Sequence, residues 1–272
     1  LRSADQGRAR CPSNQSPEMT PNLLWHKASC ALLVAGVALC LALPASAAAA
    51  PWSGAAVTPK PERFILSSER QHLYRYAFVV RQGVARSAPR KTAAVVRSLS
   101  RWTPEGTTNL VLTLDGRRTS RGVWIRVRLA TLPNGRTGWV QRRMLSDWKE
   151  VRTRLVVDRR RLTATLYRRG RVILRAPVGV GLPSWPTPRG EFYVRNQLYG
   201  FGNPVYGPIA FGTSARSAVL TDWPGGGFIG LHGTNQPSIL PGRVSHGCIR
   251  LRNRDILRLA RLMPVGTPLT VR

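Results

Sequence analysis

The sequence predicts a mainly β protein with one short helix, and three observations predict it. Short runs rich in β-branched and aromatic residues recur from residue 76 onward, separated by Gly, Pro, Asn and Asp turn signals. Gly- and Pro-rich sequence then dominates residues 178–230, where few stretches could sustain a helix. Only Asn253–Leu262 sets Ile256, Leu259 and Leu262 at helical spacing, with Asn253 as the expected cap and Pro264 as the stop. A 43% apolar and 20% charged composition over 272 residues is that of a globular chain, long enough for one large domain or two modest ones.

The first 47 residues differ in kind. Residues 31–43 (ALLVAGVALCLAL) form an uncharged apolar run too short for a comfortable membrane span but suited to a signal-peptide core. His26 and Lys27 flank it, and Pro44 with Ala45-Ser46-Ala47 supplies a small-x-small cleavage site. Residues 1–47 are therefore expected to be a signal peptide, with Met19 a candidate start and the preceding residues upstream sequence. The mature chain is then expected outside the cytoplasm, with no stable membrane span. Residues 48–75 contain Pro and Ser with little apolar periodicity, and are expected to be a linker.

From 76 to 147 the β-type runs are closely spaced. Residues 77–80, 93–99 and 109–114 are expected strands, the last ending at the turn pair Asp115-Gly116. Val123, Ile125, Val127 and Leu129 alternate with Trp124, Arg126 and Arg128, which gives a half-buried strand. Asn134-Gly135 makes a hairpin, and 137–140 returns. Such spacing suggests a small barrel. Trp124, the Asn134-Gly135 turn, Gly138-Trp139-Val140 and Leu145 together resemble the bacterial SH3-like domain. From 151 to 272 lies a second unit, with β-rich runs at 154–157, 162–167 and 171–177 and a final strand at 269–271.

The formal charge is +30, and of 42 basic residues 38 are arginine. They are scattered along the whole chain and no nucleic-acid-reading motif accompanies them, so nucleic acid is not an expected partner. Anionic cell-wall polymers are candidate partners on charge alone.

The stretch from Ile229 to Asn253 holds two of the four histidines, His232 and His246, and Cys248. Removal of a signal peptide takes Cys11, Cys30 and Cys40 with it, leaving Cys248 without an internal disulfide partner. Zinc needs three or four ligands, and His72 is the sole further Cys or His, so neither a metal nor a cofactor is expected. An inert buried cysteine is the common fate of a lone Cys, but Ser245-His246-Gly247-Cys248 is a polar, glycine-containing turn. Thiol catalysis needs a base, an orienting group for it and oxyanion donors. The two histidines are candidate bases, and the turn at Cys248 can supply backbone N–H groups.

His232-Gly233-Thr234-Asn235, followed by Ser245-His246-Gly247-Cys248-Ile249-Arg250, resembles the active-site signature of the L,D-transpeptidase (YkuD) family. Further matches fall at Pro177-Val178-Gly179-Val180-Gly181, Thr187-Pro188-Arg189-Gly190-Glu191-Phe192, Tyr206-Gly207-Pro208 and Pro264-Val265-Gly266-Thr267-Pro268. The resemblance implies an SH3-like small barrel followed by a YkuD-type, β-sandwich-like catalytic domain. It implies that Cys248 attacks a tetrapeptide stem of peptidoglycan, releases D-Ala, and passes the acyl group to a diaminopimelate amine as a 3→3 cross-link. His232 would pair with the thiol and the Gly233 carbonyl would orient it, while His246 and Gly247 would belong to the oxyanion region. Arg250, Ser245, Asn235 and Tyr206 are the candidate substrate-binding residues, Arg250 having a structural ion pair with Asp255 as its alternative. Residues 198–227 are expected to line or cover the cleft. Two other outcomes stay open: hydrolysis of the same thioester, as in an L,D-carboxypeptidase, and a wall-binding protein without catalysis.

Overall fold

The computed structural model describes residues 62–199, 203–220 and 227–272, and the signal-peptide reading lies outside them. Among the described residues the chain is mainly β, with a single α-helix and three one-turn 3-10 segments. No helix among them is long and apolar enough to cross a membrane.

The first sheet has eight strands: β1 (Glu62–Ile65), β2 (Tyr74–Phe78), β3 (Gly83–Arg86), β4 (Val95–Leu99), β5 (Leu110–Thr119), β6 (Gly122–Arg128), β7 (Thr137–Gln141) and β8 (Lys149–Val151). Their order is β4-β3-β7-β6-β5-β2-β8, with β1 added on β5. Leu99 of β4, at one end of that order, and Ala77 of β2, next to the other end, share one buried cluster with Ile125, Val127 and Val140, so the sheet curls around its own core. The alternation read in β6 holds from Ile125 onward, with Ile125 and Val127 fully buried and Arg126 over the Trp139 ring, but it breaks at Trp124, which is buried at 3% exposure instead of facing outward.

Two features of this sheet depart from the sequence reading. Strand β1 and the start of β2 fall in the stretch read as linker. Strand β5 also runs straight through Asp115-Gly116, which is not a turn. The Asp115 carboxylate is buried and paired with Arg126 across the strand and with Arg63, and the missing Gly116 side chain leaves room for the Phe64 ring. Charge pairing and a close ring contact thus hold a turn-prone dipeptide in a strand, with a bulge beside it. The reversal comes instead at Ser120-Arg121.

The second sheet system carries β9 (Thr153–Asp158), β10 (Thr163–Arg168), β11 (Arg171–Pro177), β12 (Gly179–Gly181), β13 (Gly190–Tyr199), β14 (Ile209–Arg216), β15 (Phe228–His232), β16 (Gly242–Ser245), β17 (Ile249–Arg250), helix α1 (Asn253–Leu262) and β18 (Pro268–Val271). Its order is β11-β10-β9-β18-β13-β14-β15-β17-β12-β16. Strand β13 joins its two halves: residues 190–193 pair with β18, whereas 194–199 pair with β14. The halves close on one core, in which Leu155, Leu166 and Leu174 from one side meet Phe211, Leu231 and Ile249 from the other. Helix α1 adds Ile256 and Leu259 to that core, as its spacing predicts.

Asn253 does not cap α1. Arg252 occupies the N-cap position and has no side-chain acceptor to offer the helix, while the Asn253 side chain accepts the Thr234 N–H instead. Within the Gly- and Pro-rich 178–230 stretch, β13 and β14 are long, well-buried strands that the composition concealed.

Candidate active site

Strands β15 and β17 lie side by side and parallel, pairing Leu231 with Ile249 and His232 with Arg250. This register brings the HGTN and SHGCIR segments together at one end of the sheet. A cleft of about 250 Å³ opens there, walled by His232, Cys248, His246, Ser245 and Arg250 with Tyr206 and Phe228.

His232 is buried, and its Nδ1 lies 2.7 Å from the Gly233 carbonyl oxygen. A carbonyl can only accept, so Nδ1 carries the proton and Nε2 is left as the basic nitrogen. Burial pushes the imidazole down to about 4; the Gly233 bond opposes this and the Arg250 charge adds to it. The Tyr206 ring meets the imidazole edge-on, with centroids 5.1 Å apart.

Cys248 is half-buried and unpaired. The Gly230 N–H points at its Sγ from 3.4 Å. Burial raises the thiol above its ordinary value, against the lowering effects of the Gly230 bond and the Arg250 charge. At neutral pH the cleft therefore holds a neutral thiol and a neutral imidazole rather than an ion pair.

The turn that presents Cys248 is tied down by its own side chains. The buried Ser245 hydroxyl donates to the Cys248 carbonyl at 2.6 Å and accepts the Gly247 N–H at 3.1 Å. Gly247 holds φ +116, where a Cβ would also meet Ile229, so no other residue fits without strain. Thr187 secures the turn from outside: its hydroxyl donates to the Gly247 carbonyl at 2.7 Å and accepts the Gly181 N–H at 2.9 Å. The HGTN loop is pinned by Asn253, whose Oδ1 accepts the Thr234 N–H at 2.9 Å. Gly233 and Gly207 pack against that same oxygen so closely that a Cβ on either would collide with it.

Most of the residues singled out from the sequence meet here. Cys248, His232, His246, Ser245, Arg250 and Tyr206 line the cleft, and Gly233 and Gly247 form its backbone supports. The His246 ring is exposed and packs against Trp185 at 4.5 Å. Asn235 is exposed beyond β15 and is not part of the cleft wall. Arg250 makes no ion pair with Asp255, whose nearest cationic partner is Arg254 at 3.9 Å. Leu220, Val205, Ser217 and Gly227 from the 198–227 stretch also reach the cleft. The roles of Gly230, Thr187, Asn253 and Phe228 carry no sequence signal, since each depends on what the fold brings alongside. No cluster of metal-ligating side chains occurs among the described residues.

Fold and cleft together define the class: a two-sheet β domain with a histidine at the end of β15 and a cysteine in the turn leading into the parallel strand β17, both opening onto one cleft. Residues 152–271 match the family model of the L,D-transpeptidase catalytic domain (YkuD). A Bacillus licheniformis protein named as the L,D-transpeptidase YkuD is 37% identical over 118 residues, covering 43% of this chain and 64% of the relative. YbiS of Escherichia coli K12, named as an L,D-transpeptidase, is 34% identical over 85 residues, covering 31% of this chain and 26% of the relative. The chain thus spans less than two thirds of the length of these curated relatives. Among solved structures, the catalytic domain of the Enterococcus faecium L,D-transpeptidase is similar at 27% identity and a TM-score of 0.33, covering 44% of this chain and 96% of that one.

Proposed function

We propose that the protein is an exported peptidoglycan L,D-transpeptidase that works through a thioacyl-enzyme on Cys248. The observation that carries this reading is the shared cleft of Cys248 and His232, with Nδ1 of His232 held by the Gly233 carbonyl so that Nε2 is the available base. Because the resting pair is neutral, the thiol gives its proton to Nε2 only as Sγ attacks the stem-peptide carbonyl. The C–N bond to the terminal D-Ala then breaks, and the imidazolium returns that proton to the leaving amine. A diaminopimelate amine of a neighbouring stem attacks the thioester, loses a proton to His232 and expels the thiolate, forming the 3→3 cross-link.

Gly247 spends its N–H on Ser245, so oxyanion stabilisation falls to other backbone donors of the turn at Cys248. Arg250 has the charge and the free geometry to bind a stem carboxylate: no hydrogen bond or ion pair engages it among the described residues, and its Nε is buried without a partner. Tyr206 closes the cleft over His232. The Ser245 hydroxyl is committed to the turn and supports the loop conformation in this reading, while Asn235 lies outside the cleft wall. The curled N-terminal sheet is read as an SH3-like module, with the surplus arginines favouring anionic wall polymers.

Incubation with a carbapenem, an acyl-donor mimic, should add one mass to the intact protein and none to Cys248→Ala; an equal adduct on both would refute the assignment. Incubation with a disaccharide-tetrapeptide then separates transfer from hydrolysis, since cross-linked dimer marks the first and free tripeptide the second.

A further inference from the structure

Phe228 opens β15, the strand that carries Gly230 and His232, and its ring walls the cleft. Two guanidinium groups stack on this ring, Arg195 at 3.7 Å and Arg216 at 4.8 Å from its centroid. The N-terminal sheet grips both arginines. One terminal nitrogen of Arg195, which is only 3% exposed, lies 2.6 and 2.8 Å from the two carboxylate oxygens of Glu105. Glu105 also accepts from the Asn196 amide at 3.2 Å. The Asn134 side chain, in the β6–β7 hairpin, accepts the Arg216 N–H at 3.0 Å and donates to the Arg216 carbonyl at 2.7 Å. Arg216 is the strand partner of Phe228 across β14 and β15.

A buried cation without its carboxylate is strongly destabilised and moves to find solvent. Glu105 therefore keeps Arg195 in place, and Arg195 in turn keeps the ring in place. Asn134 fixes the Arg216 backbone, which lies opposite Phe228 in the strand register and is followed by Ser217, whose N–H donates to the Gly227 carbonyl at 2.8 Å. We propose that Glu105 and Asn134 of the N-terminal sheet are positioning residues for the cleft: they hold the Phe228 wall and, through β15, the spacing of Cys248 from Gly230 and His232. The first sheet is then a working part of the site as well as any wall-binding module. The proposal rests on the geometry of the cleft and needs the acyl-transfer reading only for its last arm.

The test uses the full chain as wild type, Glu105→Ala, Glu105→Gln and Asn134→Ala, with Glu150→Ala as the control. Glu150 sits in the same sheet and pairs with Arg75 at 2.7 Å, far in the strand order from the residues that grip the wall. The rate of iodoacetamide alkylation at Cys248, followed on the Cys248 peptide by mass spectrometry over a range of pH, reports access and thiolate fraction. Loss of the clasp should open the burial that holds the thiol protonated, raising the rate at about pH 8 by about threefold or more in Glu105→Ala. Glu105→Gln, which keeps an acceptor oxygen without the charge, should fall between, and Glu150→Ala should match wild type. Wild-type alkylation and pH profile in Glu105→Ala, or an equal change in Glu150→Ala, would overturn the proposal; if Glu105→Ala does not fold, Glu105→Gln and Asn134→Ala are judged by the same criterion. In the last arm, carbapenem acylation should fall in the variants whose alkylation rises. If even wild type takes no adduct, the acyl-transfer reading fails while the alkylation result still decides the role of Glu105.

Discussion

At the scale of single residues, the site is governed by how burial sets two protons. His232 has its ordinary affinity for a proton in the unfolded chain, near 6.5, but in the fold it titrates at about 4. Between those pH values the unfolded chain binds more protons than the native one, so stability is complete above about 6.5 and is lost as pH falls through 4. The loss amounts to at most about 3 kcal/mol. Urea midpoints from pH 7 to 4 should therefore fall more steeply for wild type than for His232→Asn; parallel curves would rule this out. Under the proposed mechanism, carbapenem acylation should also fail as pH drops through about 4, when Nε2 takes up a proton. His232→Asn at neutral pH should slow acylation by about 10²–10⁴-fold. The chemical types of Cys248 and His232 were legible in the sequence, because thiol and imidazole are rare in this chain and each sits in a glycine-flanked polar segment. The donor on Sγ was not, because it is the backbone of Gly230, and a backbone N–H has no sequence signature.

At the scale of elements, the Cys248 turn depends on a strand it never touches in sequence. Thr187 bridges the Gly247 carbonyl and the Gly181 N–H, all three groups being buried. Thr187→Val keeps the shape and removes the hydroxyl, leaving both backbone groups without their partner, so it should cost about 1–3 kcal/mol in thermal or urea unfolding. Gly247→Ala should lose carbapenem acylation as well as stability, since the φ of +116 and the Ile229 contact both oppose a Cβ. Strands such as β6, whose apolar residues recur at Ile125 and Val127, and the helix with its 3.6-residue repeat were readable as elements. Strand β5 was not, because Asp115-Gly116 reads as a turn until Arg126, Arg63 and the Phe64 ring are brought against it. Strand β14 was hidden for a similar reason: glycine and small polar residues are tolerated there because neighbouring strands on both sides satisfy its backbone.

At the scale of the whole molecule, the two sheet systems share a third core. Tyr74, Tyr76, Leu110 and Leu112 of the first sheet pack with Tyr193 of the second, whose hydroxyl donates to the Leu110 carbonyl at 3.2 Å. This is why Tyr76 and Ala77 of β2, and Leu110, Val111 and Leu112 of β5, are buried in succession: Ala77 and Val111 face the inner core while their neighbours face the second sheet system. Gly266 permits the closest approach, with a Cβ there landing on the Tyr76 ring. Gly266→Val should therefore destabilise both sheets together. A single cooperative unfolding transition shifted to lower temperature is expected by calorimetry, and two separated transitions in wild type would contradict a shared core.

The sequence by itself determined the β character, the position of helix α1, the resemblance of the C-terminal segment to the L,D-transpeptidase (YkuD) family and the cysteine and histidine on which its chemistry is proposed to turn. These follow from local periodicity, turn residues and short motifs, which are properties of neighbours along the chain. Only the tertiary structure decided that β13 passes from one half-sheet to the other, that Asn253 braces the HGTN loop instead of capping its helix, and that Glu105 reaches Arg195 from another sheet. The physical reason is the same in each case: a hydrogen bond or ion pair between residues tens of positions apart leaves no pattern in either segment. Its worth is set by burial, and burial exists only once the sheets have met.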